Sequence, residues 1–205
     1  MAATLTVLGA GSILPRAGYG CSGYALRPVP AGPVTLLDCG PGSVRQLGAV
    51  GIGLAEVRRV VLSHFHPDHC LDLLALAFAR RNPSFQDAPP LEVLGPAGLH
   101  ELLAGLAGAH PRFGRWIDLG QADVAEVDPA RADGERVAGD LRLRWAATGH
   151  TPEALAWRVE TRAGETLVYS GDTGETPAVA ELASGVDLFL CECSFPEESR
   201  VAEHV

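Results

Sequence analysis

The sequence predicts one domain, residues 1–205, that folds as an α/β sandwich. The chain has 205 residues, 47% hydrophobic and 20% charged, which suffices for one sizeable core in an ordinary globular protein. Short strand patterns come first along the chain, and strands then mix with helix patterns. This order favours a sandwich over a doubly wound parallel sheet.

The first half of the chain contains five strand patterns and three helix patterns. Residues 4–8 alternate and are rich in β-branched side chains, and a glycine-rich turn ends them. Ser43 is a suitable N-cap, and apolar residues recur at helical spacing from 69 to 79. The predicted strands are 4–8, 22–26, 34–37, 59–62 and 91–94, and the predicted helices are 43–51, 69–79 and 97–106.

In the second half, segment 111–126 has no clear pattern, and strand patterns resume after it. The predicted strands are 142–146, 154–160, 166–169 and 188–191, and a helix is predicted over 177–183. The sequence then ends within the pattern of a further helix.

Composition and charge favour a small substrate and the cytoplasm. The net charge is −9, and the arginines are dispersed, whereas a protein that grips long nucleic acid usually has a basic face. No apolar run approaches the roughly 18 residues of a membrane helix, and the N-terminus lacks the basic region of a signal peptide. The five cysteines are too few and too scattered to predict a disulfide framework.

The strongest chemical signal follows the predicted strand 59–62. In an extended segment residues two apart point the same way, so His64 and His66 can reach one ion. Asp68 and His69 follow Pro67, where the chain turns towards a helix, so they face a neighbouring point. Any one of these residues alone is more often a surface or core residue. The whole pattern predicts a metal site that suits zinc, or manganese or iron.

Further ligands are expected in loops at other strand ends. His150 and Asp172 both lie in such loops. Alone, each is weak evidence, because an isolated histidine is more often structural and Gly-Asp-Thr is a common turn sequence. Their order and spacing after the cluster favour both as ligands.

Four segments resemble successive motifs of the metallo-β-lactamase superfamily, closest in style to the branch of ribonuclease Z and related bacterial phosphodiesterases. They are residues 5–12 (LTVLGAGS), 63–69 (SHFHPDH), 149–152 (GHTP) and 170–174 (SGDTG). The resemblance implies a four-layer αββα sandwich with two metal ions at one edge. It implies the first ion on His64, His66 and His150, the second on Asp68 and His69, and Asp172 bridging both. Asp38 matches a carboxylate that braces a metal-binding histidine.

The end of the chain matches the family in part. Glu192 lies in a segment that resembles one where a glutamate supports a later histidine, here His204, and this pair would donate a proton to the leaving oxygen. The rival hypothesis makes Cys191 and Cys193 a metal or redox pair.

The family's last ligand to the second metal is a histidine beyond residue 205. We therefore expect a chain truncated at its C-terminus, or else His204 as that ligand. A truncated chain would expose part of its core, which predicts poor folding or self-association, for example as a homodimer.

These motifs predict a metal-dependent hydrolase. Two divalent ions can share a hydroxide that attacks near neutral pH. The resemblance and the pairing of Glu192 with His204 favour a phosphodiesterase that acts on a small or nucleotide phosphodiester, with Asp68 as a catalytic residue. The alternative is a ribonuclease Z-like transfer-RNA endonuclease, but segment 79–85 leaves no room for that branch's protruding arm. An alternative of another class is a mononuclear iron oxygenase or a non-catalytic metal-binding protein.

Overall fold

The protein is described here by a computed structural model that covers residues 2–117, 119, 122–131 and 134–193. Its strands are β1 (Thr4–Gly9), β2 (Gly23–Arg27), β3 (Val34–Leu37), β4 (Val57–Val61), β5 (Glu92–Pro96), β6 (Asp123–Val127), β7 (Glu135–Ala138), β8 (Leu141–Ala147), β9 (Leu155–Thr161), β10 (Thr166–Tyr169) and β11 (Leu188–Leu190). Its helices are α1 (Ser43–Ala49), α2 (Pro67–Cys70), α3 (Asp72–Arg80), α4 (Leu99–Gly108), α5 (Pro111–Ile117) and α6 (Pro177–Leu182).

The strands form two mixed sheets. The first has the order β1-β2-β3-β4-β5-β6, with antiparallel pairing from β1 to β3 and parallel pairing from β3 to β6. The second has the order β11-β10-β9-β8-β7, in which only β10 and β11 pair in parallel among the described strands. Parallel neighbours end at the same edge of a sheet, so β3 and β4 deliver their following loops together.

Alternate side chains of the first sheet enter two different cores. Leu36 and Val60 face helices α1, α3 and α4, whereas their neighbours Leu37 and Val61 face the second sheet. All four side chains are fully buried. Because successive side chains of a strand point to opposite faces, this arrangement requires a layer on each side of the first sheet.

The fourth layer lies outside the second sheet. On β9, Trp157 and Val159 face the core between the sheets, so Arg158 points outwards. Its guanidinium donates a hydrogen bond to the carbonyl of Leu182, at the end of α6, at 2.9 Å. The order of layers is therefore helix, sheet, sheet, helix, and the predicted αββα sandwich is confirmed.

Most predicted elements are present, and three were missed. The predicted helix 69–79 is divided into α2 and α3. Helix α5 and most of β6 lie in the segment 111–126 that has no clear pattern, and β7 lies at residues for which no element was predicted. No helix in the described part of the chain has the length and apolar character needed to cross a bilayer. The two expectations for the C-terminal region, a further helix and a truncation, fall outside the described residues.

Loops from both sheets meet at one edge of the sandwich. The loops that follow β3 and β4 come from the first sheet, and those that follow β8 and β10 come from the second. Backbone hydrogen bonds join them: the Leu155 amide donates to the Ser63 carbonyl and the Gly174 amide donates to the Thr148 carbonyl, both at 3.0 Å. This edge holds the predicted metal site.

Trp157 links the sheets and should be a main source of stability. Its fully buried ring lies 5.8 Å from that of Trp145, and its indole N–H donates to the Leu62 carbonyl at 2.9 Å. We expect Trp157→Ala to lower the free energy of unfolding by about 3–5 kcal/mol, measured by urea denaturation.

The matched control is Trp116→Ala. Trp116 is 50% exposed, so its loss should cost less than about 1.5 kcal/mol. Equal destabilisation by the two changes would contradict the assignment of the core between the sheets.

Candidate metal centre

Three loops bring four metal-binding side chains together. Atoms of His64, His66, His150 and Asp172 that can bind a metal all lie within 4.8 Å of one another. The first two residues follow β4, and the others follow β8 and β10. His64 and His150 are buried, while His66 and Asp172 are partly exposed. The site therefore has buried nitrogen donors and an opening towards solvent.

The local backbone explains how one short segment faces two points. His66 is extended, with φ −60° and ψ 143°, and Pro67 begins α2 at a position where proline is favoured. His64 and His66 precede this turn, whereas Asp68 and His69 lie within the helix. His64 and His66 therefore reach the site from the segment before the helix, and Asp68 and His69 reach it from α2.

The carboxylate of Asp172 lies between two groups of side chains. The first group is His64, His66 and His150, and the second is Asp68 and His69. Its Oδ1 is 3.1 Å from His69 Nε2, and its Oδ2 is 3.7 Å from His150 Nε2 and 3.9 Å from His64 Nε2. Asp68 Oδ2 lies 4.0 Å from His69 Nε2. One oxygen of Asp172 thus belongs to each group.

The imidazoles fit a cation. His64 Nε2 is buried and has no hydrogen-bond partner, and His64 Nδ1 lies 3.0 Å from the Ser63 hydroxyl. His66 Nδ1 and His150 Nε2 approach each other to 3.1 Å. A buried, unpaired polar nitrogen is costly, and a divalent ion with nitrogen and oxygen ligands would satisfy these atoms together.

Asp38 supports the metal centre through hydrogen bonds to the residues around it. This residue is fully buried and adopts a left-handed conformation with φ +56°. Its Oδ2 accepts hydrogen bonds from His69 Nδ1 at 2.6 Å, from the Ser63 hydroxyl at 2.7 Å and from the Tyr169 hydroxyl at 2.5 Å. Its Oδ1 accepts from the Ser63 amide at 2.7 Å. With Nδ1 held in this way, the ring of His69 presents Nε2 to Asp172.

The carboxylates of Asp38 and Asp172 determine the pKa of His69. Burial alone would lower the pKa of His69, but the charges and hydrogen bonds of Asp38 and Asp172 outweigh it and raise that pKa to about 10. Burial and the neighbouring charge of His69 lower the pKa of His64 to about 3. Burial would raise the pKa of Asp172, yet His69 outweighs it and lowers that pKa to about 2. The edge therefore attracts positive charge, and His64 remains a neutral donor.

Sequence comparison identifies the family. Residues 17–202 match the family model of the metallo-beta-lactamase superfamily. The chain belongs to the metallo-β-lactamase superfamily. The match includes every described residue of the metal centre, and the cluster suits the divalent metals of this family.

Two mycobacterial proteins are similar to this chain over most of its length. The Mycobacterium tuberculosis protein Rv1339 is 36% identical over 194 residues, which cover 93% of this chain and 67% of the relative. A ribonuclease Z of Mycobacterium marinum is 34% identical over 194 residues, which cover 88% of this chain and 67% of the relative. The chain spans about two thirds of the length of the curated relatives it matches.

Solved structures share the metallo-β-lactamase fold. The Bacillus subtilis protein YhfI has a TM-score of 0.74 at 24% identity and covers 94% of this chain and 71% of its own. The short form of human tRNase Z has a TM-score of 0.72 at 21% identity, with 90% and 76% covered. A diphosphatase of the PhnP family has a TM-score of 0.61 at 18% identity, with 92% and 72% covered. At these identities the similarity shows the fold alone.

Glu192 supports the loop that carries Asp172. The Thr173 amide donates a hydrogen bond to Glu192 Oε1, and the Glu192 amide donates to the Ser170 hydroxyl at 3.0 Å. His204, its predicted partner, lies outside the described residues. Cys191 and Cys193 are exposed, and neither belongs to the metal-binding group found among the described residues.

Two side chains that contact Asp38 were not predicted from the sequence. Ser63 stands directly before the histidine cluster, so its place in the motif was the available signal. Tyr169 ends β10 and gave no local signal, because its contact with Asp38 spans 131 residues and joins the two sheets. Burial and the negative charge of Asp38 raise the pKa of Tyr169 well above its ordinary value, so its hydroxyl stays a donor.

The raised pKa of His69 predicts a pH dependence for the metal-free protein. The ordinary value is 6.5 and the folded value is about 10, so the stabilisation is fully present below about pH 6.5 and is lost as the pH rises through about 10. We expect the free energy of unfolding to fall in this window by at most about 1.4 kcal/mol per pH unit.

Urea denaturation from pH 6 to about 10 after chelation measures this effect. His69→Gln should flatten the profile, while His100→Gln, at an exposed position, should follow the unaltered protein. Parallel profiles for all three proteins would contradict the interpretation.

Proposed function

We propose that the chain is part of a metal-dependent hydrolase that cleaves a small or nucleotide phosphodiester. The observation that carries this proposal is the position of Asp172, with one carboxylate oxygen 3.1 Å from His69 and the other 3.7 Å from His150. A carboxylate placed between two groups of nitrogen and oxygen donors is suited to bridge two divalent ions.

In the proposed site, each ion has its own ligands. His64, His66 and His150 would hold the first, Asp68 and His69 the second, with Asp172 shared. Nitrogen donors mixed with carboxylates suit zinc best, and manganese or iron as well. Two bound divalent ions would lower the pKa of a water molecule and neutralise charge that develops on a phosphoryl oxygen.

Other residues of the chain would orient the metal-binding side chains and transfer protons. Asp38 fixes the orientation of His69 through the 2.6 Å hydrogen bond to Nδ1. Asp68, whose side chain is 18% exposed, faces the opening and would accept the proton of the attacking water. Glu192 holds the Asp172 loop through Thr173, and with His204 it would protonate the leaving oxygen.

Charge supports a small substrate over a long nucleic acid. The net charge is −9, and only residues 81–91 separate α3 from β5, which leaves little room for a protruding arm there. A ribonuclease Z-like activity is the second candidate, favoured by the 34% identity to the Mycobacterium marinum ribonuclease Z. Turnover of a precursor transfer RNA at rates comparable to a small diester would reverse the ranking.

A mononuclear iron oxygenase or a non-catalytic metal-binding protein is the alternative from another class. Elemental analysis of the purified protein separates it from the hydrolase. Two zinc or manganese ions per chain support the hydrolase, and one iron per chain supports the oxygenase.

Two further proposals concern the state of the protein in the cell. Cytoplasmic location is supported by the free thiols of the described chain, which include the exposed Cys191 and Cys193. We also propose that the protein forms a homodimer, and the mass of the purified protein measured by analytical ultracentrifugation would test this.

Asp68→Asn should abolish hydrolysis while the fold is kept. The change removes the charge and the proton-accepting ability of a partly exposed carboxylate, so kcat should fall at least about 100-fold. The assay is release of nitrophenolate from bis(4-nitrophenyl) phosphate by the metal-loaded protein, with circular dichroism as the check on folding.

The control is Asp123→Asn, at an exposed position on β6, which should leave kcat unchanged. Activity retained by Asp68→Asn would contradict the proposed mechanism. Inactivity of the unaltered chain in every metal would contradict the proposed function.

A further inference from the structure

An open groove of about 480 Å³ lies beside the metal centre. Its lining includes Phe65, which stands between His64 and His66, Glu153, three residues after His150, and residues of α4. A substrate whose reacting group sits at the metal centre can therefore extend into this groove.

Gly105 lines the groove, and its lack of a side chain leaves space there. This residue lies in the interior of α4, with no positive φ, and a Cβ atom added to it would meet nothing within 4 Å. Neither backbone strain nor a close neighbour requires glycine here, yet glycine in a helix interior is destabilising by about 1 kcal/mol relative to alanine. A larger side chain at this position would enter the groove instead of the protein core.

The lining of the groove is apolar and acidic. Its apolar surface comes from Phe65, Leu102 and Leu106, and its charged side chains are the carboxylates of Glu101 and Glu153, with no basic residue among the lining side chains. Carboxylates accept hydrogen bonds and repel phosphate. The groove therefore suits a flat, neutral group that carries N–H donors, and it disfavours a second phosphate.

We propose that this groove binds the base of a nucleotide phosphodiester, with an exocyclic amino group facing Glu101 and Glu153. The inference rests on the proposed function, because it assumes that the phosphodiester lies at the metal centre. The ring stacks on apolar surface as bases do on aromatic side chains, and the two carboxylates favour adenine over uracil, which has no amino group.

The test compares two leucine substitutions on the same helix. Gly105→Leu fills the groove, whereas Gly108→Leu is the matched control, because Gly108 also has open space around its Cβ and does not line the groove. The substrates are the 4-nitrophenyl esters of adenosine 5′-phosphate and uridine 5′-phosphate, with methyl 4-nitrophenyl phosphate as a diester that lacks a base.

For the adenosine ester, Gly105→Leu should raise KM about tenfold or more, with kcat on the methyl ester unchanged. Gly108→Leu should change neither value. Glu101→Ala combined with Glu153→Ala should abolish the preference for the adenosine ester over the uridine ester. Equal effects of the two leucine variants, or an unaltered base preference in the glutamate variant, would overturn the proposal.

Binding of free adenosine to the metal-loaded protein, measured by equilibrium dialysis, separates the two proposals. If no diester is hydrolysed, the proposed function fails, while adenosine binding that Gly105→Leu weakens and Gly108→Leu preserves would still support the groove. Absence of adenosine binding by the unaltered protein would overturn the groove assignment.

Discussion

The buried carboxylate of Asp38 is the constraint on which the candidate site depends. It accepts four hydrogen bonds from Ser63, His69 and Tyr169, so one side chain joins the ends of β3, β4 and β10 to the start of α2. A buried carboxylate without partners is very costly, and removal of this one would leave its donors unpaired. The hydrogen bonds therefore hold the two sheets in register at the edge where the metal-binding side chains converge.

Close approach of the loops requires glycine at two positions near this network. A Cβ atom on Gly40 would lie 1.9 Å from the backbone oxygen of Asp68, and one on Gly171 would lie 2.6 Å from Ser63 Cβ. Gly171 also has a φ of +58°, which glycine adopts without strain. These residues let the loop before α1 contact α2, and the loop after β10 contact the segment that follows β4. The close contacts bring together the loops that carry the metal-binding side chains.

The parts of this architecture that are local in sequence were predictable. Four of the predicted ligands lie within six consecutive residues, namely His64, His66, Asp68 and His69. Their placement follows from an extended segment that ends at a proline. The role of Asp38 followed from the family resemblance, but its full set of partners did not. Tyr169 reaches it across both sheets, and no local pattern encodes that contact.

The missed elements have a common physical reason, which is weak amphipathic patterning at the margins of the fold. β6 and β7 are edge strands, and each has a single buried residue. The helix α5 exposes Phe113 and Trp116, so its apolar residues do not follow a single buried face. Edge elements bury little surface on either side, and periodicity is correspondingly weak there.

We propose that Asp172 joins two metal positions in one site. The most direct test is the anomalous diffraction of a crystal of the zinc-loaded protein. We expect two peaks about 3.5–4 Å apart, one beside His64, His66 and His150 and the other beside Asp68 and His69, with one oxygen of Asp172 close to each. A single peak that Asp172 does not contact, or zinc bound away from this edge, would contradict it.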